Sequence, residues 1–152
     1  VFQTKTQIAA ALLQAHGKTT PHTWVVADDE FGRAADFRAQ LRARGEQYVL
    51  DVPCDTRIRD LEEDQPPRHP TGAGAQRKVP WRRVDAWLKL QPAERWIRIQ
   101  VRAGTGGPLA VDALTVRVSA RHDQRTGDAE RLVVIRTMDP TPDLRFMLSN
   151  AP

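Results

Sequence analysis

The spacing of apolar residues changes along the chain, from helical near the start to strand-like near the end. From Thr4 to His16, Ile8, Ala11, Leu12 and Ala15 recur on one helical face, and Gly17 supplies a stop. Trp24-Val25-Val26-Ala27 is a short apolar run set between Pro21 and three acids, a pattern that predicts a buried strand. Ala34 to Arg44 carries Phe37 and Leu41 on one face before Gly45 and predicts a second helix. Tyr48 to Val52, ended by Pro53, predicts a second strand. Two strands joined by a helix form a βαβ unit, so they are expected to lie parallel and adjacent.

The last third alternates with period two. Ile97, Ile99 and Val101 alternate with Trp96, Arg98, Gln100 and Arg102, which gives one apolar face and one arginine-lined face. Gly104 to Pro108 reads as a turn, Leu114–Val118 and Leu132–Ile135 as strands parted by a turn at Gly127-Asp128, and Leu144–Ser149 as a last strand. Between the two halves, residues 55–80 have no helical or strand period and are rich in Pro and Gly. They are expected to form a mobile linker. A short helix is expected over Trp81–Leu90, with Val84, Trp87 and Leu88 as its apolar residues. The fold class expected is therefore α/β (α+β). Residues 1–54 form the α/β part, 55–80 the linker, and 81–152 a helix followed by antiparallel strands.

Composition narrows the function classes. The 152 residues are 40% hydrophobic and 28% charged, enough for one domain-sized core. No apolar run approaches a membrane span, and the N-terminal residues lack a secretory leader, which predicts a cytoplasmic protein without a membrane partner. The first residue is Val1, which leaves open a start inside a longer chain. Cys54 is the only cysteine, so an internal disulfide is excluded, and a small, partly buried side chain is expected there. Of the 23 basic residues four are lysine, leaving 19 arginines, the better phosphate fork. The net charge of +4 hides an uneven distribution: −4 over residues 51–64 and +7 over 65–102.

Two clusters could carry chemistry. Asp28-Asp29-Glu30 follows the first strand, and the carboxyl end of a parallel strand is where open α/β sheets place ligands. A carboxylate there suits Mg²⁺, a hard cation that takes oxygen ligands. It equally suits the cap of a helix beginning near Arg33, because carboxylates favour helix N-termini. The second cluster interleaves Trp81, Trp87 and Trp96 with Arg77, Lys78, Arg82, Arg83, Arg95, Arg98 and Arg102. Such a stretch can bind phosphates and stack on bases, or its tryptophans can pack a helix onto the sheet while its arginines are solvated. Neither Gly72-Ala73-Gly74 nor Gly104–Gly107 has the strand-to-helix context of a phosphate loop.

Trp24-Val25-Val26-Ala27-Asp28-Asp29-Glu30-Phe31-Gly32 resembles the strand, aspartate, aromatic and glycine of the DDE-type insertion-sequence transposases. Asp36–Leu41 and Gly45–Pro53 resemble that family's next helix and its "YVLAVP"-like strand. Arg102–Pro108 is similar to the glycine-rich hairpin of its β insertion, with Gly106 where lysine is common, and Phe146–Pro152 to the strand leading to its last catalytic helix. The resemblance implies a partial RNase H-like core followed by a mainly antiparallel β insertion. It also implies DNA, as transposon ends and target, for a partner in a bacterial-type cytoplasm, and a two-ion Mg²⁺ site held by three carboxylates.

Asp28 falls on the second of those carboxylates and is the catalytic, metal-holding residue so implied. The first would lie on a strand before the Thr4–His16 helix and the third on a helix after Pro152. The chain is therefore expected to be a fragment that does not cleave DNA alone and that self-associates through the exposed edge of Trp24–Ala27. The alternative is a non-catalytic DNA-binding remnant using the basic stretch 77–102.

Overall fold

A computed structural model describes residues 2–63, 79–104, 107–122 and 125–151. Helix α1 (Lys5–His16) starts at a capping box: the Thr4 hydroxyl accepts from the Gln7 N–H, and the Gln7 side chain accepts from the Thr4 N–H. Strand β1 (Val25–Ala27), the single turn α2 (Asp29–Gly32), helix α3 (Ala35–Ala43) and strand β2 (Tyr48–Val52) follow. As the βαβ pattern requires, β1 and β2 are parallel, with Val25 opposite Tyr48 and Ala27 opposite Leu50. Gly45, at φ 73°, occupies the left-handed conformation that turns the chain from α3 toward β2.

The chain then forms β3 (Arg57–Asp60), β4 (Arg82–Arg83), α4 (Val84–Leu88), β5 (Ile97–Gly104), β6 (Gly107–His122), β7 (Arg125–Thr137) and β8 (Leu144–Ser149). The eight strands described make one sheet in the order β1-β2-β8-β7-β6-β3-β4, with β5 paired to the other half of the long β6. Only the β1–β2 pair is parallel among these ladders.

Four expectations change here, the first being that Gly127-Asp128, expected as a turn, lies inside β7 at a shift in its register with β6. Residues 57–60, expected in the linker, are a strand clamped between β6 and β4; residues 64–78 of that stretch lie outside the described residues. The helix expected over Trp81–Leu90 is confined to Val84–Leu88, because Arg82 and Arg83 are drawn into pairing with β3. Cys54 is exposed, not partly buried.

Side chains alternate across the sheet, so register sorts them into two faces. One face carries the rungs Leu50–Leu148–Leu132–Val116 and Val52–Phe146–Val134–Leu114. Val84 and Trp87 of α4 pack on it to form the larger core, with Trp87 Nε1 donating to Asp60 at 2.9 Å. Ala10 of α1 and Phe37 and Leu41 of α3 pack on the same face over Tyr48 and Leu50. The opposite face carries the rungs Asp51–Met147–Val133–Thr115 and Val49–Ser149–Arg131–Arg117. None of these three helices covers it.

One buried polar cluster joins the parallel and antiparallel parts. Glu130 of β7, whose side chain is fully buried, accepts through Oε1 from Arg38 Nε (2.9 Å) and from the Tyr48 hydroxyl (2.6 Å), with Arg42 Nη1 at 3.2 Å. Burial first, and the Glu130 charge second, push the Tyr48 phenol well above its usual range, so it stays a donor. Removing one partner of a buried ion pair leaves the other charge uncompensated. Arg38→Met is therefore expected to cost about 3 kcal/mol of stability, read as a lowered urea midpoint. Lys5→Ala, which cuts an exposed pair with Glu30, is expected to leave the midpoint unchanged.

Candidate functional site

The site grows from the end of β1. Asp28 follows the strand and is the N-cap of α2: its Oδ1 accepts from the Glu30 N–H at 3.1 Å, and its carbonyl accepts from Phe31 and Gly32. The cap thus serves the turn Asp29–Gly32, and not a helix starting near Arg33. Gly32 then lies so close to β2 that a Cβ on it would sit 1.8 Å from the carbonyl oxygen of Asp51. No other residue fits there, and the contact fixes α2, with its cap, against the end of β2.

The three acids after β1 differ in what neutralises them. Asp29 is bridged by Arg33 at 2.8 Å and Glu30 by Lys5 at 2.7 Å. Asp28 makes no ion pair among the described residues, and its second carboxylate oxygen has no hydrogen-bond partner there. Both features leave Asp28 as the acid free to hold a cation.

Asp51 is the residue that sequence reasoning passed over, counting it only in a charge sum. It lies one residue beyond the Ala27–Leu50 rung, as Asp28 does on β1, so the two acids end neighbouring parallel strands. The signal was legible: in Tyr48–Val52 the alternation puts Asp51 opposite in face to Tyr48, Leu50 and Val52, and it occupies the alanine position of the "YVLAVP"-like pattern. Burial pushes the Asp51 carboxyl above the usual range. Arg145, 3.8 Å away, opposes this, while Asp29 and Asp28 add to it. No group of three or more His, Cys, Asp or Glu poised to hold a metal occurs among the described residues.

Four cations of the basic stretch are neutralised, two of them by the acidic segment before it. Arg82 forms a two-pronged pair with Glu63, Arg95 reaches Glu62 at 3.4 Å, Arg83 pairs with Asp85 at 2.7 Å, and Arg98 pairs with Asp112 at 3.1 Å. Hydrogen bonds from Arg98 and Arg136 hold the Asp112 carboxyl below its usual range. Trp87 is core, and Trp96 lies under the Arg136 guanidinium at 4.4 Å. Arg102 is exposed without an ion pair among the described residues, whereas Arg77 and Lys78 lie outside them. Of the five of these seven cations that lie within the described residues, four are bonded to carboxylates and Arg102 is not.

A raised native pKa means that the folded protein binds the Asp51 proton more tightly than the unfolded chain. Stability is then lost as pH rises from the ordinary aspartate value, about 4, toward the native one. Asp51→Asn is expected to melt higher than the parent at pH 7 and equally at pH 3, in paired thermal melts.

No helix among the described residues is long and apolar enough to cross a membrane. No curated protein matches the chain. The model of a family described as DDE superfamily endonuclease matches residues 1–108, which include α1, the β1–β2 pair, Asp28 and Asp51. By that match the chain belongs to the DDE superfamily endonucleases, an RNase H-like family that acts on DNA and generally uses divalent metal ions.

Proposed function

We propose that these residues are the middle of a DDE transposase catalytic unit that cleaves and transfers DNA strands, with Asp28 as one of its three metal-holding carboxylates. One observation carries this reading: Asp28 ends β1 with an uncompensated carboxylate, beside Asp51 and clamped to β2 through Gly32. The donors are all oxygens, which fits a hard cation such as Mg²⁺. Such a cation, held by Asp28 with the other carboxylates of the set, would supply activation of the attacking water and stabilisation of the leaving oxygen. The part of this chain is positional: the cap to Glu30 holds one Asp28 oxygen and leaves the other for the ion. The remaining two carboxylates of the set come from outside these residues.

Asparagine caps helices as well as aspartate does, so Asp28→Asn separates a metal-holding role from a capping one. In the complete transposase it is expected to cut Mg²⁺-dependent cleavage more than about 100-fold while melting temperature and DNA binding hold. Retained cleavage would show that Asp28 is only a cap.

The chain by itself is proposed to self-associate through β1. That strand pairs only with β2, β8 having taken the far side of β2, and Val26 on it is 73% exposed. Light scattering is expected to show a mass that rises with concentration, and Val26→Lys to return the chain to monomer.

A further inference from the structure

The face of the sheet opposite the helices carries arginines from four strands. Arg117 of β6 is directly opposite Arg131 of β7, so the two share one face of adjacent strands. Arg59 and Arg57 of β3 lie on that same face, since Arg59 is opposite Ser119, two residues from Arg117 on β6. Arg145 of β8 shares the face, one position from Met147 in the alternation, and pairs with Asp51.

Like charges directly opposite one another destabilise a sheet, and among the described residues no carboxylate bonds either guanidinium; the Glu62 carboxylate accepts instead from the Arg117 backbone N–H at 2.9 Å. Arg117 is exposed and its guanidinium has no partner among the described residues. Arg131 has its Nε fully buried with no hydrogen-bond partner. Arg59 is held by Trp81, whose ring lies 4.4 Å from the guanidinium, and donates Nε to the Val79 carbonyl at 2.7 Å, so its fork is fixed in place. These cations contrast with Arg82, Arg83, Arg95 and Arg98, each already bonded to a carboxylate.

We infer that Arg117, Arg131 and Arg59 form a phosphate-binding row that holds the DNA backbone, sequence-independently, on the same sheet face as Asp51. Adjacent guanidinium forks match a phosphodiester oxygen pair, the exposed one of Arg117 leading and that of Arg131, whose buried Nε has no partner, beside it, and an anion between them removes their repulsion. Neighbouring strands are about 4.8 Å apart, so Arg131, two strands from Asp51, leaves room for about two nucleotides between the row and the end of β2. This inference rests on the reading that the protein acts on DNA, and it moves the contact away from the 77–102 stretch.

The test is fluorescence anisotropy of a labelled 20-base-pair duplex with this chain, titrated at several salt concentrations. Arg117→Ala is expected to weaken binding about tenfold and to lower the log–log salt slope by about 1, the signature of one lost phosphate contact. Arg131→Gln is expected to do the same with an unchanged circular dichroism spectrum. The double variant Arg82→Ala with Arg83→Ala is expected to bind like the parent. Parent-like binding by Arg117→Ala, loss of binding confined to the Arg82/Arg83 variant, or no binding by the parent would each overturn the inference. The Asp28→Asn cleavage result stands apart: it can fail while the arginine row binds, and the row can fail while Asp28 proves essential.

Discussion

The Glu130 carboxylate is the point on which both halves of the molecule depend. It is fully buried on β7 in the antiparallel part, yet its donors come from α3 and β2 in the parallel part. A buried charge of this kind is tolerated only when its hydrogen bonds are well made. Two hydrogen bonds, from Arg38 and Tyr48, and the Arg42 ion pair converge on Oε1, while the buried Oε2 has no hydrogen-bond partner among the described residues, so the placing of α3 against β2 turns on that one oxygen. Arg38 also donates to the Gly32 carbonyl, the last residue of α2. Glu130, Arg38, Gly32 and α2 thus form a continuous support that ends at the cap residue, Asp28. The same glycine presses on the Asp51 carbonyl, so one buried ion pair fixes the relation between the two acids.

Much of this was legible as pattern, and what was missed has physical causes. The places of helices α1 and α3 and strands β1 and β2 follow from spacing and stops, but not every face does: Ile8, Ala11, Leu12 and Ala15, the stripe expected to be apolar and inward on α1, are exposed while Ala10 is buried, and Val26 of the strand expected to be buried is largely exposed. Strand β3 was not legible: Arg57-Ile58-Arg59-Asp60 holds one apolar residue, and its strand character comes from pairing with β6, a partner about sixty residues away. Strands β6 and β7 run longer than the alternation alone indicates, β6 carrying Val111, Ala113 and Ala120 into buried positions beyond Leu114–Val118. Asp28 was found from its place after a strand; Asp51 was within reach of the same reasoning, but its neighbour across the sheet shows only in the register. Arg38 and Glu130, 92 positions apart, carry no sequence signal that would join them.

Charge patterning along the chain takes a different form once the chain is folded. An acidic run followed by a basic one looks like a solvated segment beside a nucleic-acid surface. In the fold, Glu62 and Glu63 turn back onto Arg95 and Arg82, and Asp60 takes the Trp87 indole N–H, so much of the two runs cancel locally. Proximity in sequence made that cancellation cheap, because the strand pairing of β3 with β4 already brings the segments together. Besides Arg102, the described arginines without a carboxylate partner include Arg57 and Arg59 of β3, Arg117 of β6 and Arg131 of β7, which no window of composition would gather.

The two faces of the sheet therefore divide the work. The helical face holds the core and the buried ion pair, and its polar groups are spent on support. The other face combines a carboxylate beside the end of β1, an apolar middle at Met147 and Val133, and a row of arginines across β7, β6 and β3. Carboxylates and guanidiniums on adjacent strands close into salt bridges, as Arg145 of β8 does with Asp51 of β2. Arg131 and Arg117 lie two and three strands from Asp51 and form no ion pair among the described residues. A rigid sheet that keeps opposite charges apart preserves both for a ligand carrying both needs, a polyanion that reaches the carboxylates through a cation. Nucleic acid with a divalent metal has that composition, and the fold maintains the separation through backbone pairing alone.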